Sequence, residues 1–165
     1  MKTSVVEEIR QLVLYIKKEY PGGEKFFDTF DEKLRINPKS DIYTVLFQHI
    51  KENNLLILTG GFGKFMSKNI DNGIFPFRQY ILFKGGLRGN NLPEVIKFNF
   101  DESSITLEPL FVDDTIFYGT TFQKIQDHLI KSDIYLSSVL AIYDGWQTKR
   151  PYVKSLFRYY DYFKI

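Results

Sequence analysis

Leu110-Phe111-Val112-Asp113-Asp114-Thr115-Ile116-Phe117-Tyr118-Gly119-Thr120-Thr121 is the stretch whose reading decides the fold. Three consecutive apolar residues suit a strand buried on both faces, as strands of parallel sheets are. Two adjacent carboxylates mark the carboxyl end of that strand, and a turn carrying hydroxyls and a glycine opens a helix. The helix, Thr120 to Ile130, sets Phe122, Ile125 and Leu129 on one face. In such a unit Gly119, Thr120 and Thr121 direct backbone N–H groups and hydroxyls at an anion, and the positive end of the helix adds to them. Asp113 and Asp114 would repel a phosphate, but they can accept hydrogen bonds from sugar hydroxyls or hold Mg²⁺ through water. Together these features suit a phosphorylated sugar.

Working outward, Leu55-Leu56-Ile57-Leu58 before Thr59-Gly60-Gly61 is a second run of the same kind and Gln79 to Phe83 before Lys84-Gly85-Gly86 a third, while Ile134 to Ile142 mixes strand and helix signals but ends in the apolar Val139 to Ile142 before Tyr143-Asp144-Gly145. Phe62 to Ile70 has helical composition between the first two. Strands alternating with helices imply right-handed crossovers and an open, mostly parallel α/β sheet with flanking helices, whose ligands sit at the carboxyl ends of the strands.

Upstream, Val5, Val6, Ile9, Leu12, Val13 and Ile16 recur at helical spacing until Tyr20-Pro21-Gly22-Gly23. Residues 22–40 read as irregular and charged. Ser40 or Asp41 then caps a helix with Ile42, Val45, Leu46 and Ile50 on its apolar face. The chain therefore reads as a single domain over 1–165, with a helical N-terminal region to residue 52, a core from 53 to 146 and an aromatic segment from 147. In that last segment Tyr152, Phe157, Tyr159, Tyr160, Tyr162 and Phe163 crowd together, so it is expected either to cover the core or to form an interface with a second copy or a partner protein.

With 22 Lys and Arg against 20 Asp and Glu, a net charge of +2 gives no general case for nucleic acid or anionic lipid, so any anion site must be local. The absence of cysteine removes disulfides, thiolate catalysis and Cys-ligated zinc, and a cytoplasmic setting is the default expectation. No leader-like apolar stretch opens the chain, and no run approaches the ~20 apolar residues that span a bilayer, so neither secretion nor a membrane partner is expected.

The segment 110–121 resembles the type I phosphoribosyltransferases, which bind phosphoribosyl pyrophosphate (PRPP) through an apolar strand, an acidic pair and a loop ending in Gly-x-Thr; here these are Asp113-Asp114 and Gly119-Thr120-Thr121. The resemblance implies that Asp113 and Asp114 contact ribose and, through PRPP, Mg²⁺, and that Thr115, Tyr118, Gly119, Thr120 and Thr121 form the 5′-phosphate loop. Upstream, Thr59-Gly60-Gly61 looks like the family's pyrophosphate loop, often Lys-Gly-Gly, where glycines free amides to turn toward the anion. Lys84 and Arg88 fall where family members place basic residues and a mobile loop over the pyrophosphate. Trp146 and Asp144 follow the last strand, where the family contacts the base. Residues 1–52 would then be a hood over the base site. Two positions depart from the pattern: Phe117 stands where the family has Thr, Ser or an acidic residue that serves as a base, and Tyr118 where a small residue is usual. No general base is evident.

Plainer readings compete at several positions. Lys84 and Arg88 suit a solvated loop as well as a clamp, and Trp146 suits packing as well as stacking on a ring. Gly60-Gly61-Phe62-Gly63-Lys64 is not a nucleotide-binding P-loop, because Leu58 replaces its first glycine and Phe65 follows the lysine where Ser or Thr must hold Mg²⁺. His49 and His128 read as helix-end or surface residues. The expected function is transfer of a phosphoribosyl group to a nucleobase-like acceptor with release of pyrophosphate. The alternatives are a non-catalytic module that senses PRPP or a nucleotide and acts through a partner, and a hydrolase of an N-glycosidic bond or a sugar pyrophosphate.

Overall fold

The computed structural model describes residues 2–21, 23, 25–100 and 107–162. Six strands form one open sheet: β1 (Asn54–Thr59), β2 (Gln79–Phe83), β3 (Val95–Phe98), β4 (Glu108–Ile116), β5 (Val139–Asp144) and β6 (Val153–Arg158), in the order β3-β2-β1-β4-β5-β6. Every neighbouring pair is parallel except β2 and β3. The helices are α1 (Lys2–Glu19), α2 (Phe26–Leu34), α3 (Asp41–Gln48), α4 (Gly60–Asp71), α5 (Thr120–Ile130) and a short α6 (Tyr159–Tyr162).

The side-chain period of two divides each central strand between two cores. Leu56 and Leu58 of β1, Leu82 of β2, Val112 of β4 and Leu140 and Ile142 of β5 face a core closed by Ile9 and Val13 of α1, Phe26 and Phe30 of α2, Leu46 of α3 and Met66 of α4. Leu55, Ile57, Ile81, Phe83, Phe111, Val139 and Ala141 face the other way, onto Phe122, Ile125 and Leu129 of α5. All six residues of β1 and all six of β5 are buried, which explains their uninterrupted apolar character. Gly63 lets α4 lie close on the sheet: a Cβ there would stand 2.8 Å from Leu82 Cδ1 and 3.0 Å from the Leu58 carbonyl carbon.

The expected open, mostly parallel α/β sheet is the observed one, and three details differ from expectation. Residues 22–40 contain a helix, α2, whose Phe26, Phe30 and Leu34 recur every fourth residue and are buried. Tyr43 of α3 donates its hydroxyl to the Leu34 carbonyl, so α3 caps the carboxyl end of α2 and fixes its direction. Strand β4 runs on past Val112 to Ile116, because Asp113, Thr115 and Ile116 keep pairing with β5. The aromatic segment largely belongs to the fold: Phe157 on β6 is 1% exposed, Tyr159 packs against the core under the Lys17 ammonium, and Tyr152 stacks on Phe122. Phe157, Tyr159 and Tyr152 thus take the first of the two roles expected for that segment; the side chain of Tyr162 and all of Phe163 lie outside what the structure describes. No helix among the described residues is long and apolar enough to cross a membrane.

Candidate functional site

The site begins where two parallel strands part. Pairing of β1 with β4 ends at Ile57 and Phe111, whereas β1 stays paired with β2 through Thr59 and β4 with β5 through Ile116. From the carboxyl end of β1 the chain turns through α4 toward β2; from that of β4 it turns through α5 toward β5, on the opposite face of the sheet. A crevice between strands whose connections leave in opposite directions is where open α/β sheets hold their ligands. Two adjoining cavities of about 200 and 230 Å³ occupy it, and both are lined by Phe27, Arg88, Asp113, Thr115 and Thr121.

The first cavity is completed by Tyr118, Gly119 and Thr120 over an apolar floor of Phe111, Ile116, Phe117 and Phe122. Gly119 caps α5 in the left-handed conformation, φ 82°, and has no side chain to satisfy the first-turn amides. Those amides and the Thr120 and Thr121 hydroxyls are the donors that an anion placed at this corner would meet. All five residues expected to bind a 5′-phosphate, Thr115, Tyr118, Gly119, Thr120 and Thr121, line this one cavity, although the Tyr118 side chain is 80% exposed.

The second cavity is walled by Thr59, Gly60, Gly61 and the loop Gly85 to Arg88. Gly60 has φ 64°, and a Cβ at residue 85 would stand 3.0 Å from Gly60 Cα, so the two glycine loops meet backbone to backbone. Asp113 and Asp114 both reach this cavity, and Asp113 alone also lines the first. The alternation of β4 explains the split: Asp113 follows the parity of Phe111, toward α5, and Asp114 that of Val112, toward α2. Each carboxylate accepts the N–H of the next residue at 2.9 Å. Burial pushes the pKa of both upward, and for Asp114 the neighbouring Asp113 pushes it further.

Helix α2 lines the crevice with Phe27, Asp28 and Asp31, none of which the sequence reading singled out. Phe27 and Asp31, one helical turn apart, line the crevice from the face adjoining the buried Phe26, Phe30 and Leu34. The Phe27 ring carries the Arg88 guanidinium 3.6 Å from its centre. Asp31 pairs with Arg35 at 3.1 Å through Oδ2, while its buried Oδ1 has no hydrogen-bond partner. Burial first, and the charge of Asp114 second, raise its pKa to about 6. The fourfold recurrence of Phe26, Phe30 and Leu34 was the signal that could have revealed the helix, and with it these residues.

Three expected site residues stand apart from these cavities. Lys84 lines neither, and its N–H donates to the Glu94 carbonyl. Asp144, 2% exposed, accepts the Trp146 N–H and pairs with Arg150 at 3.3 Å. The Trp146 ring lies between Tyr118, edge-on at 5.0 Å, and the Arg150 guanidinium at 5.6 Å. Phe117 packs edge-on to Phe27 and Tyr143 and covers Gly145 so closely that a Cβ there would meet its ring at 2.3 Å. Where the resemblance implies a polar or acidic residue, this chain has an aromatic ring that ties α2 to β5.

No family model and no curated protein matches the chain. Solved structures similar to it include several phosphoribosyltransferases. A hypoxanthine phosphoribosyltransferase from Staphylococcus aureus shares 18% identity over 81% of this chain and 77% of that one, with a TM-score of 0.44. An orotate phosphoribosyltransferase from Aeropyrum pernix shares 12% identity over 72% of this chain and 70% of that one, with a TM-score of 0.47. A purine phosphoribosyltransferase from Pyrococcus horikoshii shares 12% identity over 71% and 78%, with a TM-score of 0.46.

Proposed function

We propose that the protein binds PRPP together with Mg²⁺ and transfers its phosphoribosyl group to a nitrogen acceptor, releasing pyrophosphate. The observation that carries this reading is the crevice itself: two glycine-containing loops, Gly119–Thr121 and Thr59–Gly61, lie on either side of the Asp113 carboxylate, and Arg88 borders both cavities. A sugar with an anionic group at each end would place one at each loop and its hydroxyls at Asp113.

In the proposed reaction the bond from ribose C1 to the pyrophosphate oxygen breaks, the electron pair leaves with pyrophosphate, and a bond from C1 to the acceptor nitrogen forms. The protein's part is positioning and stabilisation of developing charge. The Gly119–Thr121 corner holds the 5′-phosphate, Asp113 and Asp114 the ribose hydroxyls, and the Gly60–Gly61 amides with Arg88 the departing pyrophosphate. Among the described residues no group of three or more acidic or histidine side chains could hold a metal ion by itself, so Mg²⁺ would come with PRPP and meet Asp113 and Asp114 through water. Bound there, Mg²⁺ would neutralise the leaving pyrophosphate. Phe117 cannot accept the acceptor's proton, which would leave to water or with the departing pyrophosphate.

Pyrophosphate release from PRPP and Mg²⁺ across a panel of nucleobases tests the reading, with the Asp113→Asn, Asp114→Asn double variant as the control. Turnover that the variant loses is expected; equal rates in both would overturn it. A second reading, a module that binds the same ligand and signals its occupancy, is favoured by one observation. Phe117, Phe26, Phe27 and Tyr143 join in an aromatic cluster beside the crevice, where an acceptor base would need room. Binding without turnover would decide for it.

A further inference from the structure

Among the described residues, Arg88 is the one basic side chain lining either cavity, against Asp28, Asp31, Asp113 and Asp114. It must therefore be held where a polyanion can meet it. Yet it belongs to a connection with glycines at 85, 86 and 89, which pays a large entropic cost to adopt one conformation.

Three contacts fix that connection. Leu87 is 1% exposed and sits in the core beneath α5. The Arg88 guanidinium lies on the Phe27 ring of α2. Between them, the Lys124 ammonium of α5 donates to the Leu87 carbonyl and to the Gly89 carbonyl, each at 2.6 Å. These are the carbonyls on either side of Arg88. An ammonium has three donors and no acceptor, so it can grip two carbonyls at once, and charge-assisted bonds of this length are strong. Lys124 lies one turn after Thr120, so the helix that faces the phosphate corner with its first turn holds the loop with its second.

We propose that Lys124 is a positioning residue: by clasping the carbonyls that flank Arg88, it holds the guanidinium between the Gly119–Thr121 corner and the Thr59–Gly61 loop, where a ligand with two anionic ends would meet it. This rests on the reading of the crevice as a PRPP site. It makes the grip of α5 on the loop, and not loop composition alone, the source of the site's affinity for the pyrophosphate end. A lysine that merely added positive potential would act independently of Arg88; a lysine that positions Arg88 cannot.

The test is a double-mutant cycle read by calorimetric titration of PRPP with Mg²⁺ into the wild type, Lys124→Met, Arg88→Met and the double variant. Each single change is expected to weaken binding by about tenfold, and the double variant by little more than Arg88→Met alone. Losses that multiply in the double variant, or wild-type affinity in Lys124→Met, would overturn the proposal. Lys124→Arg keeps donors in reach of both carbonyls and is expected to restore most of the affinity. Amide hydrogen exchange of residues 85–91 in the free proteins gives a second readout that needs no ligand. Exchange there is expected to quicken by about tenfold in Lys124→Met and to stay unchanged in the opposite half of the sheet; equal exchange in wild type and variant would overturn the proposal. Wild type that fails to bind PRPP would remove the ligand reading, and the exchange experiment would still decide whether Lys124 holds the loop.

Discussion

The Asp31 carboxyl lies against Gly61: its Oδ2 is 2.9 Å from the point a Cβ on residue 61 would occupy, and the Arg35 guanidinium carbon is 3.7 Å from the same point. A helix that the local sequence disguises thus brings an ion pair onto the loop expected to hold pyrophosphate. The acid of that pair is poorly solvated, has one buried oxygen without a partner, and shares its surroundings with Asp114.

That relationship has a stability consequence with a definite sign. A carboxyl with a folded-state pKa of about 6 and an unfolded value of about 4 binds more protons folded than unfolded between those values. Stability from this group therefore falls as pH rises from about 4 to about 6 and stays lowered above. Asp31→Asn is expected to stabilise the protein by about 1–2 kcal/mol at pH 7.5, with the gain vanishing near pH 4. Denaturant unfolding of both proteins at the two pH values checks this; a destabilised variant at pH 7.5 would contradict it.

Phe117 and Gly145 form a second tight pair. A Cβ on residue 145 would stand 2.3–2.9 Å from three ring atoms of Phe117, with no room to move while Phe27 and Tyr143 flank that ring. Gly145→Ala is expected to destabilise by about 1–3 kcal/mol, as overpacking does. Phe117→Leu in the same chain should recover a large part of that loss, and thermal unfolding of the two single variants and the double shows whether the effects couple.

The placement of α2 depends on Tyr43, whose buried hydroxyl donates to the Leu34 carbonyl. Tyr43→Phe leaves that carbonyl at the helix end without its donor and is expected to cost about 1–2 kcal/mol. Because Phe27 and Asp31 ride on the same helix, affinity for a crevice ligand should fall in the folded variant too. Calorimetry below its unfolding temperature separates the two effects.

Much of this architecture was legible because its central strands are buried on both faces. The runs at Leu55 and Gln79 could be little else, the mixed signals of residues 134–142 resolved into a strand only from Val139, and Thr120–Ile130 carries an apolar face with matching bounds. What escaped has physical reasons. In α2 the charges Asp28, Asp31, Glu32 and Lys33 break up the phenylalanines, and two of those charges, Asp28 and Asp31, line a cavity. Strand β3 exposes all four of its residues, so it carries no alternation. Strand β6 follows Pro151 and is half-buried at Val153, Ser155, Leu156 and Arg158 with no regular alternation, so its aromatic end reads as a tail although Phe157 is core. The two glycine loops, Thr59–Gly61 and Gly119–Thr121, were legible as motifs. Their junction through Arg88, Phe27 and Lys124 was not, because those residues come from three separate elements that only the folded sheet brings together.

The central claim is that the parted ends of β1 and β4 form a PRPP site. Calorimetric titration of PRPP with Mg²⁺ into the purified protein tests it most directly, with the Asp113→Asn, Asp114→Asn double variant as the control. Saturable one-to-one binding by the wild type and its loss in the folded variant is the predicted result. Well-folded wild type that takes up no heat across the titration, or a variant that binds as tightly as the wild type, would contradict the account.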